Sequence, residues 1–413
     1  MNPTTTQSGL IDSLIRFSEG QGLNTEHTAV LESLKHAGFP SNKNEEYRFT
    51  PITRALEKAF SGKVINAPSA SKQDVTQPLL DGCIRIIIRN GEVLIPGSAL
   101  LPEGLKIYKS GYTPAPSADA FENAVNLLCG EKLIIEATSD IEQIILLDHQ
   151  ISTSENPDWI NNSIELIVKK NSKLFVAEHW SYSNPVFVFS NQTLYGSVAE
   201  QGELNYFRFQ TAEGNLNQVY NSVITQEGSS RVNAFTLTTN GGIIRNNFSV
   251  VIDGERAEAN LLGLYLINGN TLADNHTVVD HRKPNSNSNE LFKGVISGNA
   301  KAVFNGKIFV RPDAQKTNAF QSNRNIVLSD NASVNTKPQL EIWADDVKCS
   351  HGCTTGQLAE DAIFYLQARG IDKQAAQALL IDAFAGEVTD KITNEGLKEI
   401  ARRIASEKIE SLK

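Results

Sequence analysis

The first part of the chain, to about Leu80, has the hydrophobic spacing of helices. In "GLIDSLIRF" and "HTAVLESLKHAGF" apolar residues recur every three or four positions. Gly38 follows the second run, and glycine commonly ends a helix. In "EEYRFTPITRALEKAF", Thr50 and Pro51 are the residue types of an N-cap and a first helical position. The pattern predicts helices up to a polar boundary, rich in Pro and Ser, at residues 65–78.

The middle of the chain, roughly 82–347, changes to short runs rich in β-branched residues. "ADAFENAVNLLCG" is the one segment in this region that predicts a helix. The runs are separated by similar polar corners, namely "VAEQGE", "VITQEGS", "VVIDGER", "VISGNAK" and "VLSDNAS", about 25 to 45 residues apart. Many strands without alternating helices fit a β-sandwich or a β-solenoid. The repeated corner favours the solenoid, in which each coil buries its apolar face by stacking on its neighbours.

A helical pattern returns after about Thr354. We expect one helix capped by Thr355, a second from Asp372 to Gly386, and a third that begins at Asn394.

The pattern as a whole predicts three domains. These are an N-terminal helical domain (1–80), a β-helix core (81–350) and a C-terminal helical domain (351–413).

Composition narrows the functional class. The net charge is -9, and Lys and Arg are dispersed among acidic residues, so we expect neither nucleic acid nor an anionic membrane as a partner. No apolar run is long enough to span a bilayer. The first twenty residues contain no apolar segment typical of a secretory signal, so we expect a cytoplasmic location. With four cysteines in 413 residues, a disulfide framework is not expected.

Two of these cysteines lie in "VKCSHGCTTG", where Cys349, His351 and Cys353 occupy alternate positions. In a strand they would share one face, with neighbouring Cα atoms about 6.5–7 Å apart. Three such residues do not close a four-ligand zinc site. A Cys–His nucleophile pair and a strand end with no chemistry both fit the residues. An incomplete site that a partner chain completes fits them as well.

A second histidine pair, His276 and His281, lies in "NHTVVDHRKP". The odd spacing would place the two imidazoles on opposite faces of a strand, so they would not bind one metal together. We therefore interpret them as polar residues of a corner or surface. The chain also lacks the GxxxxGK[ST] motif of a nucleotide-binding loop, so we do not expect it to hydrolyse ATP.

Several strings resemble one family. "VFNGKI", "AQKT", "NTKPQLEI", "DDVKCSHG" and "FYLQARGI", together with "NEEYRFT" near the N-terminus, resemble the SufB/SufD family of iron–sulfur cluster assembly proteins. "DDVKCSHG" resembles the SufD branch more than the SufB branch. The resemblance extends over essentially the whole chain and is weakest between about 60 and 190. It implies a right-handed parallel β-helix between N- and C-terminal helical domains.

The resemblance also implies a scaffold subunit rather than an enzyme. Such a subunit pairs with SufB through the β-helix and with the ATPase SufC through the C-terminal helices. His351 matches a family histidine at a nascent cluster site shared with SufB, and Cys349 matches the neighbouring family cysteine. Cys353 has no counterpart in many relatives, so no role is transferred to it. Leu379, Leu380 and Phe384 are candidate SufC contacts, and their packing within the helical domain is the alternative.

Cofactors and assembly follow from the same resemblance. We expect no cofactor bound tightly to this chain alone and a transient iron–sulfur cluster at the SufB interface; a flavin in the complex stays open. A homodimer in the absence of SufB also stays open. The alternatives are a stand-alone β-helix enzyme, such as a polysaccharide lyase or acyltransferase, and a SufB-type subunit that binds a cluster itself.

Overall fold

The computed structural model describes residues 5–19, 25–60, 78–95, 101–151, 156–182 and 184–412. The predicted boundary at 65–78 therefore lies almost wholly outside the described residues. Helices lie at both ends of a long series of strands, with one helix near the start of that series. The helices are α1 Thr5–Glu19, α2 Thr25–Ala37, a 3-10 turn Glu45–Tyr47, α3 Ile52–Phe60, α4 Ala120–Leu128, α5 Glu360–Gln367, α6 Lys373–Thr389 and α7 Glu395–Ser411.

The strands form two sheets. They are β1 Ile84–Arg89, β2 Glu92–Leu94, β3 Leu105–Gly111, β4 Glu131–Ala137, β5 Asp140–Gln150, β6 Asp158–Val168, β7 Lys173–Ser181, β8 Val188–Val198, β9 Glu203–Gln210, β10 Leu216–Gln226, β11 Arg231–Thr238, β12 Ile243–Ile252, β13 Glu258–Ile267, β14 Leu272–His281, β15 Asn287–Ile296, β16 Lys301–Val310, β17 Asn318–Val327, β18 Ser333–Ile342 and β19 Lys348–Gly356.

From β4 onward the chain alternates between the two sheets, and strands within each sheet are parallel. Sheet A runs β19-β17-β15-β13-β11-β9-β7-β5-β1-β2, and sheet B runs β18-β16-β14-β12-β10-β8-β6-β4-β3. This is a parallel β-solenoid of about eight turns with helices at both ends, as the corner pattern predicted. A ladder of asparagine amides along the outside of sheet A shows the coil length. Its members Asn205, Asn233, Asn260 and Asn289 are 27 to 29 residues apart and bonded in series at 2.9–3.2 Å.

The corners explain why the sequence repeats there. Gln201, Ser229, Arg256, Asn285 and Lys316 each adopt a positive φ of 55° to 63°. The backbone N–H of each donates to a carbonyl in the corner of the next coil, at 2.6–3.4 Å. Gln201, Ser229 and Arg256 lie in the predicted corners "VAEQGE", "VITQEGS" and "VVIDGER", whereas Asn285 and Lys316 lie in corners that the pattern did not single out. At all five, one coil bonds to the next without strand pairing.

Three apolar clusters hold the fold together. Alternate residues of both sheets point inward and fill the solenoid from Ile84 to Ala344. The outer face of sheet A packs against α6 and α7, and the outer face of sheet B packs against α1–α4. The C-terminal helices therefore lie on the sheet A side of the solenoid, and the N-terminal helices lie on the sheet B side.

Individual helix signals had mixed outcomes. Gly38 ends α2 with a φ of 64°, and its N–H donates to Leu34 O at 2.8 Å. Asn394 caps α7 as predicted. The cap predicted at Thr355 was wrong, because pairing with β17 extends β19 through Gly356 and α5 begins only at Glu360.

One further helix end differs from the pattern. The second C-terminal helix begins after Asp372 as predicted but continues past Gly386 to Thr389. No helix among the described residues is long and apolar enough to cross a membrane.

Candidate functional site at the open end of the solenoid

The solenoid ends in two strands that each have one neighbour. In the described part of the chain, β18 pairs only with β16 within sheet B, and β19 pairs only with β17 within sheet A. Both therefore present unpaired backbone N–H and C=O groups on their outer edge. We call this the open end. An exposed edge of this kind can pair with another chain.

The predicted residues Cys349, His351 and Cys353 lie on β19 at the open end. Cys349 packs against the apolar interior of the solenoid, so all three side chains project from the inner face of the last strand. Their partners one coil below are Ala319, Gln321 and Asn323. No coil formed by the described residues covers them, and both His351 and Cys353 are exposed.

The two thiols have different surroundings. Partial burial raises the pKa of the Cys349 thiol above its ordinary value, which favours the protonated thiol at neutral pH. Cys353 Sγ lies 2.7 Å from the Thr336 hydroxyl on β18, so this thiol links the two edge strands. Among the described residues no group of three or more His, Cys, Asp or Glu side chains is arranged to hold a metal. Cys349, His351 and Cys353 are thus not arranged to hold a metal ion by themselves.

A polar layer that the sequence analysis missed lies under His351. The Gln321 side chain crosses the interior over Gly306, where an added Cβ would come within 2.2 Å of Nε2. Its Nε2 donates to Glu290 Oε1 at 3.1 Å. Burial raises the pKa of Glu290 to about 7, well above the ordinary range of a carboxyl group. Glu290 is two residues before Phe292 on β15, so its side chain also points into the solenoid. An acidic residue at an inward-facing position is the signal in the sequence that could have revealed this layer.

A groove of about 810 Å³ runs along the outside of sheet A to the open end. Its floor includes Phe207, Phe235 and Leu262, and the segment after α6, including Ile392, lines it as well. The groove reaches His351. Glu290 and Gln321 are also among the residues that line it, so the groove and the polar layer meet beside His351.

The interpretation of His276 and His281 as corner or surface residues was wrong. Both lie within β14 and both are buried. The opposite-face prediction was right. His276 faces the N-terminal segment and contacts Glu46, whereas His281 bonds to the Ser288 hydroxyl at 2.8 Å inside the solenoid. Burial lowers the pKa of His281 to about 4, so this imidazole is neutral at pH 7.

The segment "NEEYRFT" crosses the outer face of sheet B. Glu46 contacts His276 Nδ1 at 3.1 Å and Lys307 Nζ at 2.6 Å, and Glu45 pairs with Lys337 on β18. The hydrogen bond from His276, with Lys307 beside it, lowers the pKa of Glu46 to about 2. We call this set of contacts the N-terminal clamp.

Thr50 belongs to the same surface. Its hydroxyl, predicted to cap α3, instead donates to the buried carboxylate of Asp274. The charges of the clamp thus bind the N-terminal domain to three successive strands of sheet B.

The three candidate ATPase contacts lie on α6 in different surroundings. Leu379 is 51% exposed, Leu380 is half-buried, and Phe384 packs against the solenoid under the Lys293 ammonium group. The other large exposed apolar side chains of the C-terminal helices are Phe364 and Tyr365 on α5. Of the three predicted residues, Leu379 is the most accessible to a partner.

Comparison with known proteins agrees with this fold and site. Residues 131–384 match the family model described as SUF system FeS cluster assembly, SufBD core domain. The iron–sulfur cluster assembly protein SufD of Escherichia coli is 28% identical over 92% of each chain. A SufBD family protein of Synechocystis is 32% identical, covering 95% of this chain and 93% of the relative. A chloroplastic protein of Arabidopsis thaliana, ABCI7, is 26% identical over 90% of this chain.

The chain therefore belongs to the SufBD family of iron–sulfur cluster assembly proteins. Within that family its similarity to SufD extends over nearly the whole length, which confirms the resemblance stated from the motifs. The protein has a role in iron–sulfur cluster assembly and takes part in the SUF system. This membership favours assembly over the stand-alone lyase or acyltransferase considered from the sequence.

Proposed function

We propose that this chain is a non-catalytic scaffold subunit that pairs with SufB at the open end and with the ATPase SufC on the C-terminal helices. The observation that carries the proposal is the incomplete ligand set of Cys349 and His351 on an unpaired terminal strand. A cytoplasmic location and a SufD-type rather than SufB-type role go with this proposal.

Pairing through the open end is supported by backbone chemistry. β18 and β19 offer ten and nine residues of strand with one edge unpaired. A second solenoid that presents its own terminal strands would satisfy those groups and cover both sheets at once. The same contact would bring partner ligands to the inner face of β19, where thiols and an imidazole already lie.

The proposed cargo is a nascent iron–sulfur cluster. Cysteine thiolates are the usual ligands of such clusters, and histidine replaces them in some centres. Neighbouring ligands of β19 are about 6.5–7 Å apart along the strand, so His351 and Cys349 cannot close the coordination shell alone. The cluster is then shared, transient and dependent on SufB, and no cofactor is tightly bound to this chain by itself.

A direct test measures iron and acid-labile sulfide in the anaerobically purified complex with SufB and SufC. We expect His351→Ala to leave the complex intact and to reduce its cluster content strongly. His36→Ala, an exposed histidine of α2, is the matched control and should have no effect. Unchanged cluster content in His351→Ala would overturn the shared-site role, and failure of the wild-type chain to co-purify with SufB would overturn the scaffold role.

The proposed SufC contact centres on the exposed apolar residues of α5 and α6. Phe364 is 72% exposed and Leu379 is 51% exposed, although both belong to the C-terminal helical domain. Leu379→Asp should abolish co-purification of SufC, whereas Leu94→Asp, at a 40% exposed leucine of β2, should not. Retention of SufC by Leu379→Asp would place the ATPase elsewhere.

A further inference from the structure

The polar layer of Gln321 and Glu290 under the open end lowers the stability of the fold, because it buries polar atoms that form no hydrogen bond within the described part of the chain. Glu290 Oε2 and Gln321 Oε1 are buried, and among the described residues neither has a hydrogen-bond partner. An unsatisfied buried polar atom costs about 1–3 kcal/mol. Glu290 and Gln321 lie directly below the exposed face that carries Cys349 and His351. Local features that reduce stability are expected at functional sites, so these two residues indicate a role in the chemistry of that face.

The geometry gives the Gln321 amide one orientation. Its Nε2 donates to Glu290 Oε1 at 3.1 Å, so Oε1 is the atom left over. Gly306 leaves room for the amide to lie across the interior, since a Cβ there would be 2.2 Å from Nε2 and 2.9 Å from Oε1. An ionised carboxylate only accepts hydrogen bonds, so an ionised Glu290 holds Nε2 toward itself. The Gln321 acceptor is therefore fixed and not free to exchange places with the donor.

His351 is within reach of that acceptor. Gln321 and His351 are register partners on adjacent strands and project from the same inner face. Neighbouring strands are about 4.8 Å apart, which a glutamine amide and an imidazole ring together span. Histidines that bind metals usually donate the second ring N–H to an oxygen acceptor, which fixes the tautomer that binds.

We propose that Gln321 is the positioning residue for His351, accepting its ring N–H through Oε1, and that Glu290 holds the Gln321 amide in the orientation that makes this possible. The inference deepens the proposed function and rests on it, because it assigns His351 a fixed tautomer for binding a metal. It predicts that one imidazole nitrogen faces the cargo and that the other is committed to Gln321.

The charge state of Glu290 decides how firmly the amide is held. Thr277 and Gly306 face it from sheet B, Gln321 lies above it, and no charged group on these strands points at it from the inner face. His281 lies on the same inner face, bonds to Ser288 two residues before Glu290 on β15, and is neutral at pH 7. At pH 8 Glu290 is mostly ionised, so pH 8 is the condition for the test.

The test uses the full-length chain alone with 15N-labelled histidine. The chain has seven histidines, and the His351 signals are assigned by their loss in His351→Ala. At pH 8 the wild-type Nδ1 and Nε2 shifts should show one dominant tautomer of His351. Gln321→Leu should lower the ratio of the two tautomers about 3- to 10-fold, as expected for loss of one hydrogen bond.

Two further variants make the outcome decisive. Glu290→Gln keeps the shape and can hold the Gln321 amide in either orientation, so it should lower the tautomer ratio in the same direction even if Gln321→Leu folds poorly. Gln339→Leu, which removes another buried and unpartnered glutamine oxygen on β18, should leave the ratio unchanged.

A wild-type His351 without tautomer bias, or a ratio unchanged in both layer variants, would overturn the proposal. A merely structural layer would lower the melting temperature and leave the tautomer ratio as it was. The tautomer measurement uses the chain without SufB or SufC, so its failure can be distinguished from failure of the cluster-content test of the proposed function.

Discussion

The Lys293 ammonium group on β15 lies 2.6 Å from the carboxylate of Glu387 on α6. It also donates to the Phe384 carbonyl at 3.0 Å and lies 4.1 Å above the Phe384 ring. The Lys293 side chain is fully buried, whereas that of Glu387 is 55% exposed. This one lysine therefore fixes the C-terminal helical domain to the coil that contains Glu290.

Removal of the Glu387 carboxylate should lower the free energy of unfolding more than removal of the Lys293 ammonium group. Glu387→Ala leaves a buried ammonium group with a lost partner and should lower the free energy of unfolding by about 1–3 kcal/mol. Lys293→Met fills the same space without a charge and should cost less. Urea denaturation of both variants checks the order, with Glu407→Ala in an exposed helical pair as a control within about 0.5 kcal/mol of wild type.

Glu290 should make stability depend on pH in the neutral range. Its pKa is about 7 in the folded chain against an ordinary 4.5, so the folded state keeps a proton that the unfolded state releases between these values. The stability this contributes is complete below pH 4.5 and is lost as pH rises through 7. Relative to Glu290→Gln, the wild type should therefore lose about 2–3 kcal/mol between pH 4.5 and 8. Denaturation curves of the two proteins across this range test the prediction, with Glu410→Gln as the control at an exposed glutamate.

His281 should act in the opposite direction, at lower pH. Burial lowers its pKa from 6.5 to about 4. Between these two pH values the unfolded chain therefore binds a proton at His281 that the folded chain does not bind. The stability from the neutral imidazole is complete above pH 6.5 and is lost as pH falls through 4. The advantage of the wild type over His281→Gln should shrink by about 2–3 kcal/mol across that window. An equal acid dependence in the two proteins would contradict the burial of His281, and His36→Gln provides the exposed control.

The N-terminal clamp should depend on Glu46 more than on Glu45. Glu46→Gln removes the charge between His276 and Lys307 and should lower the free energy of unfolding by about 1–3 kcal/mol. Glu45 is 72% exposed, so Glu45→Gln should cost less than about 1 kcal/mol. Thermal unfolding compares the two neighbours directly. Equal losses of stability in the two variants would mean that the contacts of Glu46 contribute no more to stability than an exposed ion pair.

The repeating parts of the fold could be predicted from the sequence. A corner such as that at Ser229 or Arg256 must adopt the left-handed conformation and bond to the next coil, so its residue types recur along the chain. Strand alternation alone predicted that Cys349 and His351 share one face of a strand, and the structure adds that this is the inner face. Both predictions depend on local geometry, which the sequence pattern contains.

The missed features depend on contacts between distant segments. Glu46 and Lys307 are 261 positions apart in the chain, and Glu290 meets Gln321 across one coil. The end of β19 was placed too early because "CTTG" has the composition of a turn, whereas pairing with β17 keeps it extended. His276 was assigned to the surface because its contacts with Arg245 and Glu46 come from distant segments of the chain.

The corner bonds also have a consequence for how the chain reaches its native state. Each coil is positioned by the coil beside it, so the solenoid resembles a one-dimensional crystal in which every layer is the template for the next. Such a crystal has a growth face, and here that face is β18 with β19. Among the described residues this face is uncovered, so it can act as the template on which a coil of another chain is added, at the layer where the thiols and the imidazole lie.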